Sequence, residues 1–458
     1  MLARPPAAVM RTLEFGAYPT AEQRHRLEAW LLLHRRIWNY GLALLQELAD
    51  FSAYDKASKT RVPCCPVPWS YRWQKAEDGA WQAIPYSQIR RYRDGWPCCP
   101  LPQDHRPPRL SGDSYQALSG FFAKKNHQNW PELQDCPVEL IRGTLKALGT
   151  AWSEYRSGKR DAMGRTRKPP RFKGERFPIK TISDTNCKKT ARVDGDLVTL
   201  PVLGTLRIKG NRDGRRWPSD RVICTYRLQK EPSGWFLLLV GEVPVPALRE
   251  TSLAVGLDAG VTHTLTTSTG RFIESPRALE ANLRKLERLQ QQMARQTKGG
   301  ANWKKTVANI ARLHETIRRT RKGFAHKVTT YTLRTYGTVA VEKLNHEGMA
   351  RRPKPKPAED GSGAFLPNQA AAKSVLSRRL RDAGLGQIKT MLETKGKERG
   401  RLVIAVDPRH TSQMCSACGH IDRESRPDQA TFCCTACGFE LNADHNAAKN
   451  ILKRALKG

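Results

Sequence analysis

Two CxxC pairs near the carboxyl end constrain this chain more than any other feature of its sequence. Cys415 and Cys418 form the first pair, and Cys434 and Cys437 follow after fifteen intervening residues. Two such pairs can close a tetrahedral thiolate site, whose usual occupant in proteins is Zn²⁺. Because four sulfur ligands leave no open coordination position, the pattern predicts one structural zinc. The alternative is a set of reduced cysteines packed in a core.

The residues beside these pairs agree with a metal site. Gly419 and Gly438 supply the tight turn that each knuckle needs, and Cys433 is interpreted as a bystander.

The stretch Met1–Met10 lacks the apolar region and cleavage site of a secretory signal, and one interpretation is a leader before a start at Met10. In a basic protein that is not exported, the twelve cysteines indicate thiols or metal sites in place of disulfides, so we expect a reducing cytoplasm.

A large excess of positive charge indicates a polyanionic partner. The chain has 79 Lys and Arg against 43 Asp and Glu, a formal net charge of +36. Nucleic acid and an acidic membrane surface are the two candidates. No apolar run approaches the roughly 18 residues of a transmembrane helix, so nucleic acid is favoured and no membrane association is expected.

The amino-terminal half combines one long helix with a series of short strands. A strand over Arg11–Tyr18 precedes a helix whose capping box is Thr20 and Gln23. Further helices are predicted over Tyr115–Lys125 and Val138–Ser157. Alternating apolar residues then predict four more strands, which with the first would form a small barrel: Val193–Leu200, Gly204–Lys209, Val222–Gln229 and Trp235–Val243.

A Pro- and Trp-rich insertion near residues 56–108 interrupts the helical part. It contains two Pro-Cys-Cys-Pro units, at Cys64-Cys65 and at Cys98-Cys99. These cysteines either bind a second zinc or pack in a small core, and adjacent cysteines rarely both fit one tetrahedral centre. Interleaved aromatic and basic residues could stack on bases or fill an extra core: Trp69, Trp73, Trp81, Trp96, Arg72, Arg90, Arg91 and Arg93.

The pattern after Pro246 changes to an α/β protein. Leu253–Leu257 and Val261–Thr267 predict a hairpin, and later strands are expected at Val339–Glu342 and Leu402–Val406. Helices are predicted at five places: Pro276–Gln296, Trp303–Thr320, a separate helix through Val328 and Leu333, Val375–Thr394, and Ala443–Leu456.

Three carboxylates occupy strand ends or a helix start in this half. Asp258 and Glu342 each end an apolar strand and face away from its buried residues, and Asp444 opens the last helix. Singly, each has a plain explanation as a turn residue, a solvated strand end or a helix cap. Together they suit phosphodiester hydrolysis, because clustered carboxylates can hold two Mg²⁺ ions about 4 Å apart. Hard cations prefer oxygen ligands, so the carboxylates and the cysteines belong to different metals.

Four segments of the chain resemble the TnpB family of transposon-encoded RNA-guided nucleases, which is related to the type V CRISPR effectors. They are Gly256–Gly260, Val341–Asn345, Asp407–Gln413 and Asn442–Ala448. The barrel segments, Lys168–Phe172 and Phe324–Lys327 resemble it as well, whereas the insertion near 56–108 matches no motif of the family.

The resemblance implies a multidomain α+β fold. A small wedge β-barrel would be interrupted by a helical recognition lobe, and an RNase H-like (RuvC) α/β nuclease domain with an inserted zinc ribbon would follow. The corresponding boundaries are 1–19 for the leader and first barrel strand, 20–164 for the lobe, 165–247 for the remaining barrel strands, 248–410 for the nuclease domain, 411–440 for the ribbon and 441–458 for the last helix.

The same resemblance implies residue roles. Asp258, Glu342 and Asp444 would be catalytic and bind two Mg²⁺, and the four paired cysteines would bind one zinc. Nucleic-acid contacts are expected at Lys168, Arg171, Lys173, His326, Lys327 and Arg409. For His326 a structural or phosphate-contacting role is favoured over a catalytic one.

The expected function is RNA-guided cleavage of DNA. A guide RNA would read the target sequence, and the protein would recognise a short motif in the double-stranded target DNA. One alternative is a guide-dependent DNA-binding regulator with weak or no cleavage, against which the intact carboxylates argue. The other is an RNase H-like transposase that joins strands. No oligomeric state is predicted.

Overall fold

The structure, a computed structural model, describes residues 8–51, 54–55, 60–61, 71–75, 81–85, 114–122, 133–161, 164, 166–174, 177–184, 186–187, 191–209, 216–218, 221–245, 248–344, 346–349, 355–357, 365–366 and 369–457. Cys64, Cys65, Cys98 and Cys99 lie outside these ranges, so the alternatives for the insertion stay predictions. The chain divides into two compact units, of which one spans residues 10–242 and the other contains residues 243–458.

The first unit contains three helices and eleven strands among its described residues. The helices are α1 (Ala21–Phe51), α2 (Ser114–Phe121) and α3 (Val138–Arg156). The strands are β1 (Ala8–Tyr18), β2 (Tyr54–Asp55), β3 (Thr60–Arg61), β4 (Tyr71–Lys75), β5 (Trp81–Pro85), β6 (Thr181–Ser183), β7 (Arg192–Asp194), β8 (Leu197–Leu200), β9 (Gly204–Lys209), β10 (Thr225–Glu231) and β11 (Gly234–Pro244).

Seven of these strands form one sheet, in the order β6-β10-β11-β1-β9-β8-β7. β11 alternates buried side chains with partly buried or exposed ones, as expected for a strand with one face on a core. The sheet has two strands more than predicted, because Val193–Leu200 folds as the hairpin β7–β8 and Thr181–Ser183 adds β6. Closure into a barrel remains a prediction.

The capping box at the start of α1 is confirmed. The backbone N–H of Gln23 donates to Thr20 Oγ1 at 3.2 Å, and the backbone N–H of Thr20 donates to Gln23 Oε1 at 3.0 Å. These two bonds satisfy amide groups that a helix start otherwise leaves without partners. α1 packs against α3, and α3 packs against α2, with Leu27, Ile37 and Leu140 among the fully buried side chains.

The second unit contains six α-helices, one 3₁₀ helix (Glu280–Asn282) and nine strands among its described residues. The helices are α4 (Leu283–Arg295), α5 (Ala301–Thr335), α6 (His346–Met349), α7 (Ala370–Ala383), α8 (Leu385–Glu398) and α9 (Ala443–Lys457). The strands are β12 (Ala254–Asp258), β13 (Leu265–Thr267), β14 (Phe272–Ile273), β15 (Thr338–Glu342), β16 (Lys356–Pro357), β17 (Phe365–Leu366), β18 (Leu402–Val406), β19 (Thr431–Cys433) and β20 (Glu440–Asn442).

A five-stranded mixed sheet organises this unit, in the order β14-β13-β12-β15-β18. β12, β15 and β18 run parallel, and the predicted hairpin is present as the antiparallel pair β12–β13. β12 and β15 have consecutive buried residues in their centres, the pattern of strands covered on both faces. α9 packs against β12 and β15, while α5 and α8 pack against each other and supply further core residues.

Three of the predicted helices in this unit differ from the structure in where the helix is continuous and where it is interrupted. The helices expected at Trp303–Thr320 and through Val328 are one continuous helix, α5, because burial of Val328 and Leu333 against the core of the sheet outweighs the roughly 1 kcal/mol cost of Gly323. Conversely, the single helix expected over Val375–Thr394 is two helices. Gly384, at φ +70°, ends α7 and precedes α8.

Among the described residues, no helix combines the length and apolar character needed to cross a membrane.

Candidate active site and metal centre

Two of the predicted catalytic carboxylates lie side by side at one edge of the parallel sheet. β12 and β15 pair in register from Ala254 with Thr338 to Leu257 with Val341. The next residue on each strand is Asp258 or Glu342, which is the last residue of its strand. Since neighbouring strands lie about 4.8 Å apart, in-register positions place both carboxylates on one face of the sheet.

The third carboxylate reaches this edge because α9 packs very closely on β12. A β-carbon added at Gly256 would lie 2.1 Å from the carbonyl oxygen of Ala448 in α9, so only glycine permits the observed approach. At the start of α9, Asn442 Oδ1 accepts the backbone N–H groups of Asp444 and His445 at 3.1 and 3.2 Å. Asn442 is therefore the helix cap, and the carboxylate of Asp444 is left for another role.

The three carboxylates interact electrostatically. Burial, followed by the negative charges of Glu342 and Asp444, raises the pKa of Asp258 to about 7, although the Arg426 guanidinium opposes this shift. Burial also raises the pKa of Glu342. Such a half-buried acidic cluster costs free energy when all its members are ionised, and a bound cation would offset that cost.

Two residues that the sequence did not single out touch this cluster. Thr411, which is buried, donates its hydroxyl to Glu342 Oε1 at 2.5 Å. Arg426, between the two cysteine pairs, places Nη2 3.6 Å from Asp444 Oδ1. Thr411 lies within a segment already assigned to the family, but Arg426 stands in no motif, and only the folded chain brings it to Asp444.

The cysteine pairs converge as predicted. The Sγ–Sγ distances are 3.8 Å between Cys415 and Cys437 and 3.7 Å between Cys418 and Cys434. A tetrahedron with Zn–S bonds near 2.3 Å requires sulfurs about 3.8 Å apart, so the four thiols could bind zinc with little adjustment. Burial opposes ionisation of Cys434, but nearby amide and thiol hydrogen bonds lower its pKa to about 6, which favours the thiolate form that binds metal.

The cysteines and the carboxylates differ in how closely their ligand atoms are gathered. Within the part of the chain that the structure describes, the four cysteines are the one group of three or more possible ligands whose atoms all lie within 4.8 Å of one another. Cys433 points elsewhere, because its thiol donates to Glu440 Oε1 at 3.5 Å. The oxygen donors of Asp258, Glu342 and Asp444 suit a hard cation in kind.

The predicted nucleic-acid residues of the first unit lie on a segment held against α1. Trp38 Nε1 donates to the carbonyl of Arg171 at 3.0 Å, and the Asn39 amide bonds both the N–H and the carbonyl of Lys173, at 2.6 and 2.8 Å. The side chains of Lys168 and Arg171 are exposed. Lys173 is half-buried, with Nζ 4.6 Å from the centre of the Trp38 ring, and this burial lowers its pKa.

The predicted nucleic-acid residues of the second unit differ in how far they are exposed. Lys327 is exposed on α5 beside the half-buried His326, whose carbonyl accepts Lys395 Nζ at 3.1 Å. Arg409 follows β18 and its side chain is 84% exposed, with Nε 3.9 Å from Asp407 Oδ2. Lys327 and Arg409 are thus available to a polyanion, whereas His326 is partly enclosed by its own unit.

Fold and site together define a mixed α/β protein with three carboxylates at one sheet edge and a four-cysteine group capable of binding a metal. A protein named "Putative RNA-guided DNA endonuclease InsQ" from Escherichia coli (strain K12) is 32% identical over 330 residues, which cover 72% of this chain and 77% of that protein. The chain therefore belongs to the TnpB family, of which InsQ is a member.

Other comparisons agree with this membership. Family profiles described as "Probable transposase", "Cas12f1-like, TNB domain" and "Helix-turn-helix domain" match residues 229–352, 386–451 and 10–49. A "Putative RNA-guided DNA endonuclease" of Streptomyces pristinaespiralis is 27% identical over 69% of this chain and 71% of that protein. A "CRISPR-associated endodeoxyribonuclease Cas12f1" of Sulfoacidibacillus thermotolerans is 58% identical over 57 residues, or 12% of this chain and 14% of that protein.

Proposed function

We propose that the chain is an RNA-guided DNA endonuclease that hydrolyses phosphodiester bonds at Asp258, Glu342 and Asp444. The observation that carries the proposal is the convergence of these three carboxylates at one sheet edge in a member of the TnpB family. Two relatives named RNA-guided DNA endonucleases cover most of the chain, which supports the same activity here.

The proposal assigns a role to each part of the chain. Residues 248–410 and 441–458 would form the RuvC-like nuclease domain, with residues 411–440 as a zinc ribbon inserted before its last helix. Residues 20–164 would form the recognition lobe, and the strands of 1–19 and 165–247 a wedge barrel. The net charge of +36 supports a guide RNA and a double-stranded target DNA as partners, with the exposed Lys168, Arg171, Lys327 and Arg409 among the contacts.

The carboxylates would hold two Mg²⁺ ions, which supply Lewis-acid activation of a water and stabilise the leaving oxygen when bound. Asp258 is the carboxylate on which the charges of both Glu342 and Asp444 act, so it would help to hold both ions. Arg426 favours the ionised form of Asp258 and lies beside Asp444, so it supports the deprotonated cluster that a cation requires. The cysteine group would hold one structural zinc.

The nature of the bound RNA tests the proposal directly. We expect RNA that co-purifies with the expressed protein to be one structured species with a variable end. Guide-programmed cleavage of a plasmid bearing the matching target should follow when Mg²⁺ is added. Random RNA fragments together with an intact plasmid would contradict the proposal and leave a generic nucleic-acid-binding protein.

A transposase is the second candidate, because the profile that matches residues 229–352 is described as a probable transposase. The products distinguish the two reactions. Hydrolysis leaves free DNA ends, whereas strand transfer joins a 3′ end to a new strand. Joined products in the same cleavage assay would favour the transposase.

The raised pKa of Asp258 predicts how cleavage depends on pH. At low Mg²⁺ we expect the rate to rise as pH increases through about 7, because only the ionised carboxylate holds the cation. More Mg²⁺ should move this rise to lower pH, since the cation competes with the proton. The Arg426→Ala variant should show the rise at higher pH, because the guanidinium that favours ionised Asp258 is gone. Arg426→Lys, which keeps the charge, is the matched control.

The measurement is the rate of guided cleavage between about pH 5.5 and 8.5 at two Mg²⁺ concentrations. The same pKa shift affects stability. The folded state binds the Asp258 proton more tightly than the unfolded state, so the metal-free protein should lose stability as pH rises from 3.8 to about 7. If the pH dependence of the rate changes neither with the Mg²⁺ concentration nor on substitution of Arg426, the assignment of Asp258 is contradicted.

A further inference from the structure

Thr411 lies where the nuclease sheet meets the cysteine group, and its hydroxyl contacts a catalytic carboxylate. Its side chain is buried, and Oγ1 lies 2.5 Å from Glu342 Oε1 and 3.0 Å from the carbonyl oxygen of Pro408. A hydroxyl has one proton to donate. With Glu342 ionised, the shorter and charge-assisted bond to the carboxylate takes that proton. The bond fixes the direction in which the Glu342 carboxylate faces.

The backbone at Thr411 is itself held by the helix that carries Asp444. Asn450, in α9, donates Nδ2 to the carbonyls of Thr411 and Met414 at 3.0 and 2.6 Å. Asn446, one turn earlier, donates to the Met414 carbonyl at 2.8 Å and accepts the N–H of Ser416 at 2.9 Å.

Both asparagines are fully buried. A buried amide costs free energy unless it is hydrogen-bonded, so their bonds hold the 411–416 segment to α9 in one arrangement. The segment therefore contacts two carboxylate-bearing elements at once, β15 through Thr411 and α9 through the two asparagines.

We propose that Thr411 is a positioning residue that fixes the Glu342 carboxylate relative to Asp444. Two hydrogen bonds connect the helix of Asp444 to Glu342. Asn450 of α9 bonds the backbone of Thr411, and the Thr411 hydroxyl bonds the Glu342 side chain. This connection would keep the carboxylate oxygens of β15 and α9 in position for the same pair of cations. This inference rests on the proposed function, because it assumes that the two carboxylates are metal ligands.

A hydroxyl that acts through Glu342 should alter metal binding and turnover while leaving guide and target binding unchanged. Removal of a hydrogen bond to a metal-ligating carboxylate typically costs about 10- to 100-fold in metal affinity or activity. The Thr411→Val variant keeps the shape of the side chain and removes the hydroxyl. The Thr411→Ser variant keeps the hydroxyl and removes a methyl group, so it is the matched control.

We expect Thr411→Val to cleave guided targets about 10- to 100-fold more slowly and to need more Mg²⁺ for half-maximal rate. Its affinity for Mn²⁺, measured by calorimetry on the full chain without nucleic acid, should fall in the same proportion. Thr411→Ser should stay close to the unchanged protein in both measurements. Zinc content and guide binding should be the same in all three proteins. Thr411→Val should still unfold cooperatively, at a somewhat lower temperature because one buried hydrogen bond is lost.

Each contrary outcome has a definite reading. Equal Mg²⁺ dependence and equal Mn²⁺ affinity in Thr411→Val would overturn the inference while leaving the nuclease assignment intact. The same would follow if Thr411→Ser were as defective as Thr411→Val, or if Thr411→Val lost its zinc or no longer unfolded cooperatively. Absence of cleavage by the unchanged protein with its own guide would instead overturn the proposed function.

Discussion

The Asp258→Asn protein is expected to lose guided cleavage by at least about 1,000-fold, equivalent to roughly 4 kcal/mol of transition-state stabilisation. Asp258 ends β12 beside Glu342, and its carboxylate responds to the charges of both Glu342 and Asp444. We therefore propose that it would help to hold the cations. The neutral amide is nearly the same size, which separates loss of charge from loss of packing. Guide and target binding should persist, because those contacts depend on the basic surface.

The measurement pairs guide-programmed plasmid cleavage in Mg²⁺ with filter binding of the same guide and target. Glu287→Gln removes an exposed carboxylate from α4 and should behave like the unchanged protein. Cleavage by Asp258→Asn at the normal rate would remove Asp258 from the active site. Loss of binding together with cleavage would instead give Asp258 the plain role of an aspartate before a glycine turn.

The Cys434→Ser protein is expected to lose its zinc and, with it, cleavage. Purified protein should contain about one tightly held zinc per chain, and removal of one of four thiolates should release it. The segment between the two cysteine pairs also places Arg426 near Asp444, and the segment before Cys415 places Thr411 at Glu342. Loss of the metal should therefore disturb the carboxylates as well as the ribbon.

The adjacent cysteine provides an unusually close control. Cys433 differs from Cys434 by one position in the chain, but its thiol faces Glu440. Cys433→Ser should retain the zinc, as measured by elemental analysis, together with normal cleavage. Retention of zinc by Cys434→Ser would refute the four-cysteine site. About two zincs per chain in the unchanged protein would support a second site at Cys64, Cys65, Cys98 and Cys99.

Much of the candidate site could be predicted because its residues are marked by local patterns. Asp258 and Glu342 end short apolar strands, and the strand period places them opposite Leu257 and Val341. The structure shows that the other face is covered too, because Gly256 and Ala340, which share the face of the carboxylates, are also buried. The cysteine pairs have a spacing that a metal site requires. In each case the residue and the reason for its role lie within a few positions of one another.

The remainder depends on contacts between distant parts of the chain. Thr411 and Glu342 are 69 residues apart, and nothing near either residue indicates the bond between them. Arg426 reaches Asp444 only because the chain between the two cysteine pairs folds back to the start of α9. The helix boundaries follow the same rule. α5 continues across Gly323 because its residues pack against the core. In contrast, the positive φ of Gly384 separates α7 from α8 in a stretch whose periodicity predicts one helix.

The absent side chain at Gly256 bears on how inactivated copies of such a gene would be recognised. A gene that has lost its selective constraint is usually diagnosed by a missing catalytic residue. Here, a single methyl group at position 256 would press on the backbone of α9 at Ala448 and displace Asp444 from its neighbours. A displacement of about 1 Å can cost roughly 100-fold in rate. A descendant could therefore keep all three carboxylates and still be a pseudoenzyme.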